Sequence, residues 1–478
     1  MKKVCIKSLN TPPFIVILAL VTLASGCALH TSQLTEPVID VSAIYSQTVT
    51  DTTLPEAGKW WEYFDDTQLN ALVEAGLRNN LDIQQAAERI EQARSLLTIT
   101  GSSRYPALTI SGSGGRARQS TTAGAFTQDT YSLSAAASFE IDLWQKIRSR
   151  TDAAFYDVQA AEENIKALYI SIAAQIADLY YLASEQLSQL DLTDQTITSF
   201  KDTLDRVERR YREGLVPAID VYQSRQNLAS ARAQRPLFES QLAVAVNALS
   251  VLTGRFPDKE IGHHITSLQE NLSLPQGLPS ELLLNRPDLQ AALFRLRASD
   301  ERIGAAIADR FPSFNLIGTY GGSSSELHSI LDSPNIFWNL LLQAAQPLFD
   351  AGRRKAEVER TKSVFRENLA AYHKTVLTAF QEVEDALVKI ASSEERVTML
   401  KETVAASDSA LRLALNRYMQ GLTDYLPVLT EQLRNATVKS NILSVRRQLV
   451  SGRIELARAL GGEWAQAAYK INFGEKDL

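Results

Sequence analysis

The chain has 478 residues and a formal net charge of −6. Hydrophobic residues make up 45% and charged residues 22%, the balance of an ordinary folded protein. The charge excludes the basic surface of a nucleic-acid binder, and the length allows several domains or one extended body.

The N-terminus reads as an export signal. Lys2, Lys3 and Lys7 form a basic start, Phe14 to Leu23 is an uncharged apolar run, and Ala24-Ser25-Gly26 precedes Cys27. Basic, apolar and small-residue regions in that order mark a secretory signal over 1–26. The apolar run is shorter than the about 20 residues a membrane-spanning helix needs. The setting of Cys27 resembles the bacterial lipoprotein cleavage box, whose thiol is acylated, although Ala24 stands where that box usually carries Leu. Ala28 resembles the outer-membrane sorting pattern. Cys5 lies in the signal, so the exported chain keeps Cys27 alone and forms no intrachain disulfide. Residues 27–59 read as a lipidated, extended leader.

Ordered structure is expected from Trp60-Trp61-Glu-Tyr-Phe64. Asp66 or Thr67 caps a helix whose apolar positions include Leu69, Leu72, Val73 and Leu77. A second helix runs from about Asp82 to Ser95. Tyr105 to Gly115 is poor in helix formers, and Arg116 to Thr130 reads as a hydrophilic loop. A strand follows, with Tyr131, Leu133, Ala135, Ala137, Phe139, Ile141 and Leu143 on one face. Its length suits a membrane-crossing strand, which needs about 9 to 11 residues, and apolar-out, polar-in is the pattern of an outer-membrane barrel.

From Thr151 to Glu213 there is neither Gly nor Pro. That predicts a helix of about 60 residues, about 90 Å long. A corner at Gly214 to Pro217 leads to a return helix from about Ile219 to just before Gly254, which Pro236 should kink or divide. Residues 255–279 form a polar connection. Its His263-His264 pair lacks any ligand set and reads as solvent-facing.

The second half repeats the first. Asp82 and Asp288, and Pro106 and Pro312, each stand 206 positions apart in matching contexts. Phe314 to Tyr320 and Ile336 to Ala344 form another strand pair, and Pro347 to Gly352 matches Asp142 to Lys146. Arg353 to Gln420 again lacks Gly and Pro. A second corner, Gly421-Leu-Thr-Asp-Tyr425, echoes the first, and a helix runs from about Val428 to Gly461-Gly462. The chain is thus an internal duplication. The first repeat spans 60–254, with a β-hairpin at about 104–143 and a long helix at about 150–213. The second spans 280–464, with a hairpin at about 311–348 and a long helix at about 353–420; residues 465–478 are a tail. Four strands cannot close a barrel, and lipid tolerates no open edge, so several chains must contribute strands to one barrel.

These residues resemble the TolC-like family of outer-membrane efflux channels, in the lipoprotein branch that includes OprM and NodT. The resemblance rests on Cys27 with its leader, Trp60 to Phe64, Asn80 to Ala93, Tyr105-Pro106 and Arg209-Arg210-Tyr211 through Gly214. It continues in Arg286-Pro287-Asp288-Leu289, Phe311-Pro312, Pro347-Leu-Phe-Asp350-x-Gly352, Tyr418-x-x-Gly421-x-x-Asp424-Tyr425-Leu426 and Leu460-Gly461-Gly462-x-Trp464. It implies a mixed α/β membrane channel: a homotrimer with a 12-stranded outer-membrane β-barrel continued by a 12-helix periplasmic α-barrel. It further implies no active site and no cofactor, and as partners a periplasmic adaptor, an inner-membrane pump of RND type, and outer-membrane lipid. The corners at Gly214 and Gly421 would close the periplasmic end. By that resemblance Asp424 is the leading gate residue, with Asp220, Leu422 and Tyr425 beside it, whereas Tyr211 and Tyr418 pack the helix ends. An Asx-type turn explains Asp424 equally, and a first-turn acid explains Asp220. Pro427 departs from the branch, where an acidic or polar residue often follows Tyr-Leu, and should stiffen the second corner.

Other readings explain less. Ser111-Gly-Ser-Gly-Gly115 lacks the lysine and the strand-to-helix context of a nucleotide loop, and the five histidines, His30 and His328 among them, form no ligand spacing. A non-channel coiled-coil lipoprotein accounts for the helices but not for the strand at 131–143. A type I-like protein secretion duct shares the architecture; the lipoprotein motif favours small-molecule efflux.

Overall fold

The computed structural model describes residues 59–122, 124–257, 286–462, 464, 465 and 469. Cys27, the signal, the leader up to residue 58, His30 and His263-His264 lie outside the described residues, as does nearly all of the connection and the tail. In chain order the elements are α1 (Thr67–Asn79), α2 (Leu81–Ser102), β1 (Ala107–Thr121), β2 (Gly124–Ile141), α3 (Lys146–Arg212) and α4 (Ala218–Leu252). Then come α5 (Pro287–Ala308), β3 (Ser313–Ser324), β4 (Ile336–Ala345), α6 (Arg353–Met419) and α7 (Leu426–Leu460). The duplication extends to element length: α2 and α5 each have 22 residues, α3 and α6 each 67, and α4 and α7 each 35.

The chain divides into two compact units. The first takes in Arg89–Ala161 and Ala291–Tyr372 and is built on the sheet. Its strands form one antiparallel meander, β1-β2-β3-β4. The register is unbroken, so side-chain direction carries across all four strands. Leu108, Ala137, Gly318 and Leu340 form one row; Ile110, Ala135, Tyr320 and Trp338 form the next on the same face. Thr109, Ala136, Thr319 and Asn339, and Glu140, Asn315 and Gln343, lie on the opposite face. One face is therefore apolar and the other mostly small or polar. Among the described residues β1 and β4 each pair on one side only.

Arg116 to Thr130 is not a hydrophilic loop. β1 and β2 pair out to Thr121 opposite Gly124. Backbone hydrogen bonding, which side-chain polarity does not report, carries the ladder beyond the apolar part of the strands. Below the sheet, Trp144 Nε1 donates to Pro312 O at 2.8 Å and its ring lies 5.1 Å from Phe311. Asp142 accepts from Ile147 N and Arg148 N, and Asp350 accepts from Gly352 N and Arg354 N. The two long helices thus start on the same acidic cap.

The second unit takes in Glu162–Gln290 and His373–Leu478, with the segment ending at Glu88. Asp66 caps α1 through Gln68 N and Leu69 N and also accepts from Tyr180 Oη at 2.8 Å. Asn80 Oδ1 accepts from Asp82 N and Ile83 N, while its Nδ2 donates to Leu252 O, so one side chain starts α2 and holds the end of α4. α2 runs on to Ser102, past the expected end at Ser95. Ile165, Ile172, Ile176 and Tyr180 bury one stripe of α3. α7 meets α3 through Thr203–Gln432, Gln189–Ser440 and Asp178–Arg447, and meets α6 through Ser407–Asn435, Asp408–Lys439 and Glu394–Arg453. α4 continues through Pro236 without ending. That proline and Arg232, whose carbonyl loses its helical donor, are both exposed residues.

Candidate functional site at the paired corners

Both corners lie in the second unit, and both are built alike. Gly214 N donates to Tyr211 O and Leu215 N to Arg210 O, each at 2.9 Å; Gly421 N donates to Tyr418 O and Leu422 N to Arg417 O, again at 2.9 Å. Gly214 has φ +73° and Gly421 φ +75°. A left-handed residue lets the last carbonyls of each long helix be satisfied before the chain turns, and glycine enters that region without a Cβ penalty. The exits differ. Pro217 precedes α4, whereas Pro427 sits inside the first turn of α7, where no amide donor is needed.

Val207, Val221, Ala414, Tyr418, Tyr425 and Val428 form a buried core between the corners. Tyr418 is 2% exposed and Tyr425 1%, with ring centroids 5.4 Å apart. The Tyr418 hydroxyl donates to Asp220 Oδ2 at 3.2 Å, tying the end of α6 to the start of α4. Asp220 is only 6% exposed. Burial is the main cause that lifts its carboxyl above the ordinary 3.8; the Asp424 carboxylate adds to the rise, while the Tyr418 hydrogen bond and Arg210 oppose it. Burial first, then Asp220, pushes the Tyr418 hydroxyl well above the usual phenol range, so it remains a donor at neutral pH.

Two further links cross the corner. Tyr425 Oη donates to Gln432 Oε1 at 3.3 Å, and Gln432 Nε2 donates to Thr203 Oγ1 at 2.9 Å. Arg210 Nη1 donates to Met419 O at 2.6 Å, and its guanidinium lies 5.2 Å from the Tyr418 ring. Met419 is the last residue of α6, so its carbonyl has no helical partner and the arginine of the other corner supplies one.

Asp220, Tyr418 and Tyr425 thus come together inside the corner. Asp424 and Leu422 lie on its exposed side, Leu422 at 64%. Tyr211, the repeat counterpart of Tyr418, stands 47% exposed in the single chain. Sequence reasoning quoted Arg210 only within a motif and missed its brace to Met419, and it missed Gln432 and Thr203 altogether. Repeat symmetry does place Arg210 and Arg417 in equivalent positions, but it does not say which one crosses. The arrangement offers hydrogen bonds that can be made and broken between helix ends. Among the described residues no group of His, Cys, Asp or Glu could hold a metal ion, and no helix is long and apolar enough to cross a membrane.

The model of the family described as outer membrane efflux protein matches residues 72–255 and 278–462, one segment per repeat. This chain belongs to the outer membrane efflux protein family. It is 32% identical over 419 residues to the solvent efflux pump outer membrane protein SrpC of Pseudomonas putida, covering 87% of this chain and 88% of that one. It is 29% identical over 408 residues to the cation efflux system protein CusC of Escherichia coli, covering 85% and 88%. A solved membrane protein from Pseudomonas aeruginosa superposes with a TM-score of 0.83 at 30% identity, over 89% of this chain and 98% of that one. The efflux-family chain is therefore matched across both repeats, corners included.

Proposed function

We propose that three copies of this chain close one 12-stranded outer-membrane barrel, continue it as a 12-helix periplasmic tunnel, and pass small molecules outward from a periplasmic adaptor and an inner-membrane pump of RND type. The observation that supports this reading is the sheet: four strands, apolar on one face and mostly small or polar on the other, with β1 and β4 each paired on one side only among the described residues. Such a sheet is stable in lipid only when other copies complete it. The non-channel coiled-coil alternative gives that sheet no role. The names of SrpC and CusC refer to solvents and to cations, which suits a generic wet tunnel whose cargo is chosen by the pump.

Residues 1–26 are the signal, Cys27 carries the lipid, and 60–254 and 280–464 are the two efflux repeats. The gate lies at the corners. Tyr418–Asp220, Tyr425–Gln432 and Arg210–Met419 hold the helix ends together, while Asp424 and Leu422 face the pore mouth. A threefold ring of Asp424 carboxylates favours cations there. Native mass measurement of the purified protein tests the assembly: a mass of three chains is expected, and a folded monomer overturns it. Affinity capture should bring down a periplasmic adaptor and an inner-membrane pump. Labelling with a radioactive fatty acid should mark Cys27, and Cys27→Ser should abolish the label.

A further inference from the structure

The two arginines near the tip of the first hairpin share a face with the apolar rows. Arg116 and Arg118 have the same register parity as Leu108, Ile110, Gly112 and Gly114, and their opposite numbers on β2 are Asp129 and Thr127. Counting upward from the lowest apolar row, at Ile141, the Tyr131 row lies ten residues along β2 and the Asp129 row twelve. At about 3.4 Å per residue and a tilt of about 40°, those rows stand about 26 Å and about 31 Å above it. An outward apolar band is about 25 Å tall and ends in aromatic residues. Tyr131 therefore marks the upper rim of the band, and Arg116 and Arg118 lie just beyond it, at headgroup depth.

Both arginines are exposed. The other face at this level holds Ala117, Gln119, Gln128 and Thr130, which carry no charge. Asp129 is the one acid on the arginine face of these paired strands, 3.4 Å from Arg116 Nε, and it offsets one of the two positive charges. The loop of the second hairpin carries Glu326 and Asp332, so the positive patch belongs to the first hairpin alone.

We propose that Arg116 and Arg118 bind phosphate groups of lipid headgroups in the leaflet reached by the first hairpin. The assignment rests on the outer-membrane channel reading. Guanidinium groups match phosphate through paired N–H donors, and anionic lipid attracts each basic residue near its surface. Three chains place three such arginine pairs around one rim, facing lipid rather than the lumen. The patch is thus a lipid anchor in the barrel wall.

The test uses the full-length oligomer reconstituted in vesicles of phosphatidylcholine with or without phosphatidylglycerol, and reads lipid retained after detergent extraction by native mass spectrometry. Wild type should retain phosphatidylglycerol preferentially. Arg116→Gln with Arg118→Gln should lower that preference by about fivefold per arginine. Arg116→Lys with Arg118→Lys should keep most of it, and Asp129→Asn should raise it. Higher salt should weaken it, because the site is exposed. Equal retention by wild type and the double Gln variant overturns the assignment. Competition by inorganic phosphate as effective as by lipid also overturns it, since the site would then take a free ion. Single-channel conductance of the same samples separates the two levels: conducting oligomers without lipid preference sink this proposal alone, whereas folded oligomers that never conduct sink the channel reading with it.

Discussion

Replacing Tyr418 by Phe removes one hydroxyl and leaves the ring. The contact with Tyr425 and the stacking of Arg210 are kept, and only the donor to Asp220 is lost. A hydrogen bond to a charged group is worth about 1.5–3 kcal/mol. The distance of 3.2 Å is long for a hydroxyl on a carboxylate, so the low end applies, about 1.5 kcal/mol. Because the bond joins the end of α6 to the start of α4, its loss should shift a closed corner toward open by about twelvefold. The assay is open probability of single channels in planar bilayers, with thermal unfolding measured alongside. Tyr211→Phe serves as the control, since that ring is half exposed and should leave opening unchanged. Combining Tyr418→Phe with Asp220→Asn should add little beyond either single change. Reduced thermal stability with unchanged open probability would show that the bond holds in both states, and the gate role would be refuted.

Acidification should act on the same carboxyl. The folded Asp220 is held above its ordinary value, chiefly by burial, so the folded chain binds this proton more readily than the unfolded chain does. The resulting stabilisation is fully present below 3.8 and is lost as pH rises through the raised folded value. Raising the pH through that window should therefore lower the melting temperature, and Asp220→Asn should flatten the response; a melting temperature that rises with pH through Asp220 would contradict the burial argument. Two glycines should differ in cost. Gly214 faces open space, so Ala there costs about 1–2 kcal/mol of left-handed strain. A Cβ on Gly254, at φ +72°, would meet Asn79 O at 2.5 Å, so Gly254→Ala should lower the melting temperature more; the reverse order would count against the packing of α1 on the end of α4. On the sheet, Leu340→Arg on the apolar face should destabilise folding into vesicles by about 2–4 kcal/mol, whereas Asn339→Arg on the other face should be tolerated. Equal effects would remove the distinction between lipid and lumen.

Much of the fold was legible because long-range order is written locally in this chain. Runs without Gly or Pro marked α3 and α6, and Gly214 and Gly421 marked both corners. The period-two alternation at 131–143 identified β2. The strand ends at Arg116 to Thr130 were missed because their side chains are polar on both faces, and only the backbone ladder shows the pairing. Pro236 does not divide α4, although a proline in a helix interior removes one backbone hydrogen bond. The cost of about 3 kcal/mol is offset by the buried residues on either side of it, Val221 to Ala231 and Ala245 to Ser250. Asp220 was seen as an acid near a corner, but its burial under Tyr418 depends on residues 198 positions apart. Repeat symmetry pointed to Tyr211 and Tyr418 as equivalents. Their exposures differ: Tyr418 packs among Val207, Val221 and Val428 of three other helices, a relation between elements that no local pattern records.

Completion of one water-filled pore by several copies of this chain is what the proposed function depends on. Single-channel recording from the purified three-chain oligomer in a planar bilayer addresses it directly. Discrete conductance steps that favour cations are expected, with Asp424→Ala weakening that preference. Folded, membrane-inserted oligomers that carry no current would contradict it.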